Sequence, residues 1–304
     1  MKSIYKSIFG VAAAAMTLFT ACDDVKEDDR YIELPNVTAE RNVVLVDFTG
    51  QNCVNCPNAH EVMEQLEEQY GDNLIAISVH CGGSSLGIDV NTTVFPINRV
   101  GLMTAFGNGL QAAYGIQSLP RGMVNMTGAS MDYPEWAAAV RTALEQPNDI
   151  NLSATAEFVP TDSKDPNYGQ ANGISGTIKI NSTASSTANH PGALIQYWII
   201  EDGIKAQQKF PPNGSINKDY IHNNVFRAMV FDEDNGNLRG QKMAMAPGEE
   251  VKASGSIDAR FSNREHWMLE NLRVVAFVYE GSVGILQAVN VPVTLPEGYV
   301  QPAE

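Results

Sequence analysis

A Cys-x-x-Cys pair placed where a strand gives way to a helix constrains this chain more than any other feature. Val43, Val44, Leu45 and Val46 form an apolar, largely β-branched run that reads as a buried strand, and Gly50 and Asn52 break it. Apolar residues then recur at helical spacing through Ala59, Val62, Met63, Leu66 and Tyr70, with Gly71 as the stop. Cys53 is therefore expected at a helix N-terminus, where unpaired N–H groups and the positive end of the macrodipole favour a thiolate. Cys56 lies one turn on, within reach of a small disulfide, so Cys53 reads as the attacking thiol and Cys56 as the resolving thiol.

Leu74 to His80 reads as a second buried strand, stopped by Gly82 and Gly83. Strand, helix and strand of this length make a βαβ unit, whose right-handed crossover sets the two strands parallel. Cys81 then falls on the same sheet edge as the cysteine pair. It has three readings: an inert buried thiol, a redox partner of Cys53, or a metal ligand with His80. The segment from Ser84 to Gln117 is expected to carry a helix from about Ile97 to Phe106 and another from about Leu110 to Tyr114, and to shape access to the pair. Tyr133-Pro134 opens a last helix in this half, with Trp136, Ala137, Val140, Ala143 and Leu144 on its core face.

The stretch L-V-D-F-T-G-Q-N-C-V-N-C resembles the active-site segment of thioredoxins, and Asp47 falls where that family keeps a buried acid beneath the disulfide. Here Asn52 replaces the usual Trp, and Val54-Asn55 the usual Gly-Pro. Ile116, Leu119, Pro120, Met123 and Val124 resemble the thioredoxin segment that carries the cis-proline. The resemblance implies a cis peptide at Pro120, with the Leu119 backbone open to an extended substrate. Arg121 replaces a small polar residue and is expected to bring positive charge beside the thiols. Pro57 and S-L-P-R-G-M-V-N bring the chain closer still to the thioredoxin-like outer-membrane lipoproteins of Bacteroidetes, named after a twenty-eight-kilodalton outer-membrane protein.

After Asp149 the pattern changes to short alternating or apolar runs separated by Gly, Asn, Pro and Ser. The runs are N-L-S-A-T-A-E-F, G-I-S-G-T-I-K-I-N-S, A-L-I-Q-Y-W-I-I-E-D, E-V-K-A-S-G-S-I, L-R-V-V-A-F-V-Y-E and V-G-I-L-Q-A-V-N-V-P-V. They point to an all-β sandwich with an immunoglobulin-like layout. The fold class expected is thus an α/β thioredoxin-like domain (residues 37–148, a mixed sheet flanked by helices) followed by a β-sandwich (149–298) and a short tail (299–304). A long connection from Gly203 to Asn224 holds His222 between Ile221 and two asparagines. It reads as a turn held by side-chain to backbone hydrogen bonds, with ligand binding as the alternative.

Residues 1–21 have a charged start at Lys2 and Lys6, an apolar stretch from Ile8 to Phe19 and a small residue before Cys22, the layout of a Sec-type signal. The L-F-T-A-C ending resembles a lipobox, which makes Cys22 the lipidated residue, and residues 22–36 an acidic tether. Formal net charge is −15 at pH 7. That balance argues against a nucleic-acid or anionic-lipid surface, and any membrane attachment is then expected through lipid. The localisation expected is the outer membrane, lipid-anchored after Sec export, with the periplasmic and the cell-surface face both open.

Three functions follow. In thiol–disulfide exchange on envelope or extracellular proteins, Cys53 attacks, Cys56 resolves, Asp47 moves the proton, and Leu119, Pro120 and Arg121 meet the substrate chain. In a non-catalytic adhesin or receptor component, the same domain is a scaffold with a fixed disulfide and binds a surface partner. Metal handling through Cys53, Cys56, Cys81, His60 and His80 matches no familiar closed ligand set, so no metal and no cofactor is expected.

Overall fold

A computed structural model describes residues 40–90, 101–161, 176–231, 240–259 and 267–299. The signal segment, the tether with Cys22 and the tail beyond Tyr299 lie outside the described residues. The two apolar runs form β1 (Val43–Thr49) and β2 (Leu74–His80), paired in parallel with Val43 opposite Leu74 and Thr49 opposite His80, on either side of α1 (Cys56–Tyr70). Both strands are buried along their whole length, as their near-continuous apolar sequences require. Val43, Leu45, Leu74 and Ala76 pack with α1 and with α4 (Trp136–Leu144), which buries Trp136, Val140 and Leu144. Val44, Val46, Ile75, Ile77 and Val79 face the opposite way, toward Leu110 of α3 (Ala105–Ala113).

One helix, α3, replaces the two expected, and it runs through Gly107 and Gly109 instead of breaking there. Residues 101–104 are not helical, and residues 97–100 lie outside the described residues. Thr104 caps the helix, its hydroxyl oxygen accepting from Gly107 N at 2.9 Å. A Cβ on Gly107 would come within 2.4 Å of the His80 carbonyl oxygen, so the glycine lets the helix lie against β2. After a short helix α2 (Gly83–Leu86) and α3, the chain enters β3 (Arg121–Val124) through a cis Leu119–Pro120 bond. β3 pairs antiparallel with β1, Phe48 opposite Arg121.

The second half contains the expected strands as β4 (Ile150–Pro160), β5 (Gly176–Ser186) and β6 (Leu194–Glu201), then β11 (Glu250–Asp258), β12 (Leu272–Glu280) and β13 (Gly284–Thr294). Between them lie four strands that the sequence pattern did not announce. The connection after Gly203 is a hairpin, β7 (Ile204–Phe210) and β8 (Ser215–His222), in a two-stranded sheet of its own. β9 (Val225–Met229) and the two-residue β10 (Gln241–Lys242) both pair with β6.

Among the described residues the main sheet runs β11-β5-β4-β13-β12-β6-β9-β2-β1-β3. β13 pairs with β12 through most of its length and with β4 only at Val293 and Thr294, so it hands the sheet from one group of strands to the other. Ile178, Ile180 and Ala184 of β5 share a core with Ile195, Tyr197 and Ile199 of β6 and Val274, Ala276 and Val278 of β12. The pattern does change between α4 and β4, but packing continues across that point, and Val37 to Glu304 is one compact unit. β9 bridges to β2 at Ser78, whose N–H donates to the Asn224 carbonyl at 2.7 Å. Trp198, Phe226 and Phe277 fill the same core as Val46, Phe48 and Ile77, with Trp198 edge-on to both phenylalanines. The start of β1 is held by β13: Arg41 donates to the Ile285 carbonyl at 2.8 Å, and Asn42 N to Gln287 at 2.9 Å.

Candidate functional site

The α1-facing side of the β1–β2 ladder is apolar at one end and polar at the other. Val43, Leu45, Leu74 and Ala76 give way to Asp47, Thr49, Ser78 and His80, all buried. Alternation puts these four side chains on one face. α1 adds His60, one turn beyond Cys56, and β8 adds Tyr220 and His222. The His60 ring lies 2.9 Å through Nε2 from Thr49 Oγ1, 2.8 Å through Nδ1 from the Tyr220 hydroxyl, and 3.6 Å through Nε2 from Asp47 Oδ2. His80 and His222 stack edge to face at 5.2 Å between ring centres.

Asp47 is wholly buried, and neither carboxylate oxygen has a hydrogen-bond partner among the described residues. Burial pushes its pKa well above the usual carboxylate range, because loss of solvation penalises the charged form. The same loss of solvation works against protonation of the rings: His60 is lowered to about 4 and His222 to about 3, and His80 is lowered well below its ordinary value. At neutral pH the cluster therefore holds three neutral imidazoles, beside an acid whose burial favours its protonated form.

Cys53 and Cys56 form a disulfide with 5.5 Å between their Cα atoms. The helix begins at Cys56, with Asn55 as a cap that makes no side-chain hydrogen bond, and Pro57 in its first turn. Cys53 thus precedes the helix instead of opening it, because the turn at Gln51 and Asn52 takes up the intervening residues: Cys53 N donates to the Gly50 carbonyl at 3.0 Å and Asn52 N to that of Leu86 at 2.8 Å. Both sulfur-bearing residues are buried, Cys53 at 4% exposure and Cys56 at 0%.

The β7–β8 hairpin supplies much of the cover. Gln208 Nε2 donates to the Cys53 carbonyl at 3.0 Å and the Gly50 carbonyl at 3.3 Å. Lys209 N donates to the Gln51 carbonyl at 2.9 Å, and Gln51 Nε2 returns a bond to the Gln207 carbonyl at 3.2 Å. Gly214, at the hairpin tip, lies over Val54. The expected shaping of access by residues 84–117 is also seen where Leu86 and Gly87 accept from Asn52, at 2.8 and 3.4 Å. The long connection after Gly203 is this hairpin, and the turn expected beside His222 is present at its end, where Gly203 N donates to Asn223 Oδ1 at 2.9 Å and Asn224 N to Asp202 Oδ1 at 2.6 Å.

β3 begins at Arg121, opposite Phe48 of β1, directly after the cis Leu119–Pro120 bond, and the Leu119 side chain lies against Gly82, just past Cys81. The expectation for Arg121 is corrected: its guanidinium turns to the following loop, pairing with Asp132 at 2.6 Å and donating to the Ser130 carbonyl at 2.6 Å. Cys81 is free and fully buried with the apolar residues facing α3, and burial pushes its thiol pKa up. Among the described residues no group of three or more His, Cys, Asp or Glu side chains is arranged to hold a metal ion.

Sequence reasoning missed Tyr220 and Gln208, and noticed His60 only as a metal ligand. The signal that could have found the hairpin is Asn213-Gly214 between the strand-like runs ending at Phe210 and starting at Ser215, a strong short-range hairpin marker.

The family model described as Outer membrane protein Omp28 matches residues 107–295. The chain belongs to the Omp28 family. The family is described as one of outer-membrane proteins, and the outer membrane is where this chain is placed. No helix among the described residues is long and apolar enough to cross a membrane. The Omp28 match begins within α3, so Cys53 and Cys56 lie outside it. Among solved structures, HBP35 of Porphyromonas gingivalis is similar at 15% identity and a TM-score of 0.56, over 87% of this chain and 79% of that one. This likeness shows the fold alone. A domain of the outer-membrane lipoprotein Omp28 from the same organism aligns at 17% identity and a TM-score of 0.31, over 50% of this chain and 93% of its own. No curated protein matches the sequence.

Proposed function

We propose that this Omp28-family lipoprotein, held by lipid on Cys22 and displayed at the cell surface, exchanges thiols and disulfides with envelope or extracellular proteins through Cys53 and Cys56. On this reading residues 37–148 are a thioredoxin-like unit and 149–298 an immunoglobulin-like sandwich fused to its sheet. The observation that carries it is a disulfide at the strand-to-helix junction, in the same βαβ unit as a buried carboxylic acid, Asp47, that has no hydrogen-bond partner among the described residues. A structural disulfide gains nothing from a desolvated acid nearby, whereas a thiolate leaving from Cys56 needs a proton source. Leu119 and Pro120, beside the strand end, supply the backbone for a substrate chain.

Cys56→Ser is the informative trap, since it leaves Cys53 able to attack with nothing to resolve the product. Mixed disulfides are expected on non-reducing gels from cells carrying this variant, and not from those carrying Cys53→Ser. Their absence would count against exchange.

A second reading has a specific observation behind it: Cys53 is only 4% exposed, under the hairpin. In this reading the disulfide is fixed, and the protein is a surface adhesin or receptor component built on the same scaffold. A reduction potential below about −300 mV, with no reduction of insulin, would favour it.

A further inference from the structure

The buried polar cluster does not end at Asp47. We infer that His60 and Tyr220 form a proton route linking Asp47 to the outer side of the β7–β8 hairpin, so that a residue far along the chain takes part in work at the disulfide. The inference rests on the exchange reading and deepens it. His60 lies within 4 Å of both a buried Asp47 oxygen and the hydroxyl of the partly exposed Tyr220, at 3.6 and 2.8 Å. Its two ring nitrogens face opposite neighbours, which is what lets an imidazole take a proton on one side and release it on the other.

With the Tyr220 hydroxyl donating to Nδ1, the Nε2 proton points to Thr49 Oγ1 and Asp47. A cavity of about 20 Å³, roughly the room of one water molecule, adjoins His60, His80, Tyr220 and His222. Neither ring nitrogen of His80 has a hydrogen-bond partner among the described residues, nor does Nε2 of His222, so this side of the route is polar and unspent. The groups facing His60 are Asp47 and Thr49 from β1, His80 from β2, Tyr220 and His222 from β8, and Glu64 on its own helix, beside the same cavity.

The step balances as follows. A dithiol reductant attacks Cys53 Sγ as its thiolate, the Cys53–Cys56 bond breaks, and the electron pair leaves on Cys56 Sγ. Asp47 gives Cys56 its proton. His60 Nε2 restores the proton to Asp47 while Nδ1 takes one from Tyr220, whose hydroxyl is refilled from solvent. The second thiol of the reductant then closes its own disulfide and releases Cys53.

The test is single-turnover reduction of the full-length, detergent-extracted protein's own disulfide by dithiothreitol, followed across pH, in wild type, His60→Gln, Tyr220→Phe and Asp47→Asn. His60→Gln is expected to slow reduction about tenfold at neutral pH and to move the bend in the pH profile that Asp47 gives the wild type. Tyr220→Phe keeps the ring and is expected to slow it less, in the same direction, and it decides the matter if His60→Gln fails to fold. Rates and bends that match wild type in both variants overturn the route, and so does a uniform slowing with the bend unmoved, which is what a purely structural role gives. Insulin reduction by the wild type is measured alongside. If it is absent while the dithiothreitol rates still respond to His60 and Tyr220, the exchange reading fails and the proton route stands.

Discussion

The β1–β2 ladder and the β7–β8 hairpin are both pairs of strands about seven or eight residues long, yet they are built on opposite terms. β1 and β2 are buried at every position, while β8 is exposed through most of its length, with Ile216 at 50% and Ile221 at 47%. The first pair holds cysteine chemistry in place by sitting in the core of the molecule. The second reaches the same chemistry from outside, through a few polar contacts at one end. Rigid placement and local cover are thus assigned to different parts of the chain, and the cover is the part with little apolar surface to hold it down.

The sharpest way to break this contrast is at Phe48 of β1, fully buried in the core shared by both halves. Phe48→Ala is expected to cost about 3–5 kcal/mol in urea unfolding, through lost burial and the cavity left behind. A cost as small as that of a hairpin substitution would show that the ladder is not the rigid part.

Next comes Asp47 on the same strand. Its ordinary pKa is 3.8, and burial raises it well above that in the folded protein. Between those two values the folded state keeps a proton that the unfolded chain has released, so this residue lowers stability as pH rises through the window. Asp47→Asn does not titrate. It should therefore gain on wild type as pH rises above about 4, by up to about 1.4 kcal/mol per pH unit inside the window. A difference that stays flat across the same range would mean the acid is not desolvated.

The smallest effect belongs to the hairpin. Gln208→Ala removes the donor to Cys53 and Gly50 and is expected to cost about 1 kcal/mol. Its larger signature is kinetic: dithiothreitol should reach Cys53 several-fold faster, because the hairpin then lifts more readily. An unchanged rate would locate the barrier elsewhere.

The same contrast explains what could be read from the sequence. β1, β2, β5, β6 and β11 to β13 carry their burial pattern in consecutive residues, and the apolar runs placed them nearly residue for residue. Asp47, Cys53, Cys56 and Pro120 stood out because their surroundings resemble a known motif. β7 and β8 carry no such pattern, since burial is confined to Ala206, Gln207 and Gln208 in the middle of β7 and to His222 at the end of β8, and β9 is defined by partners distant in sequence, β6 on one side and Ser78 on the other. Arg121 was misplaced for a related reason. Its position beside the cysteines follows from the motif, but the direction of its guanidinium is set by Ser130 and Asp132, which no local rule connects to it.

The ties between the start of β1 and β13 join residues 244 to 246 positions apart. A chain made from its N-terminus therefore completes Cys53 and Cys56 well before β13, which ties down the start of β1, and before the β7–β8 hairpin that covers them. Until then neither cover nor clasp exists, and the order of synthesis separates the making of the site from its closing.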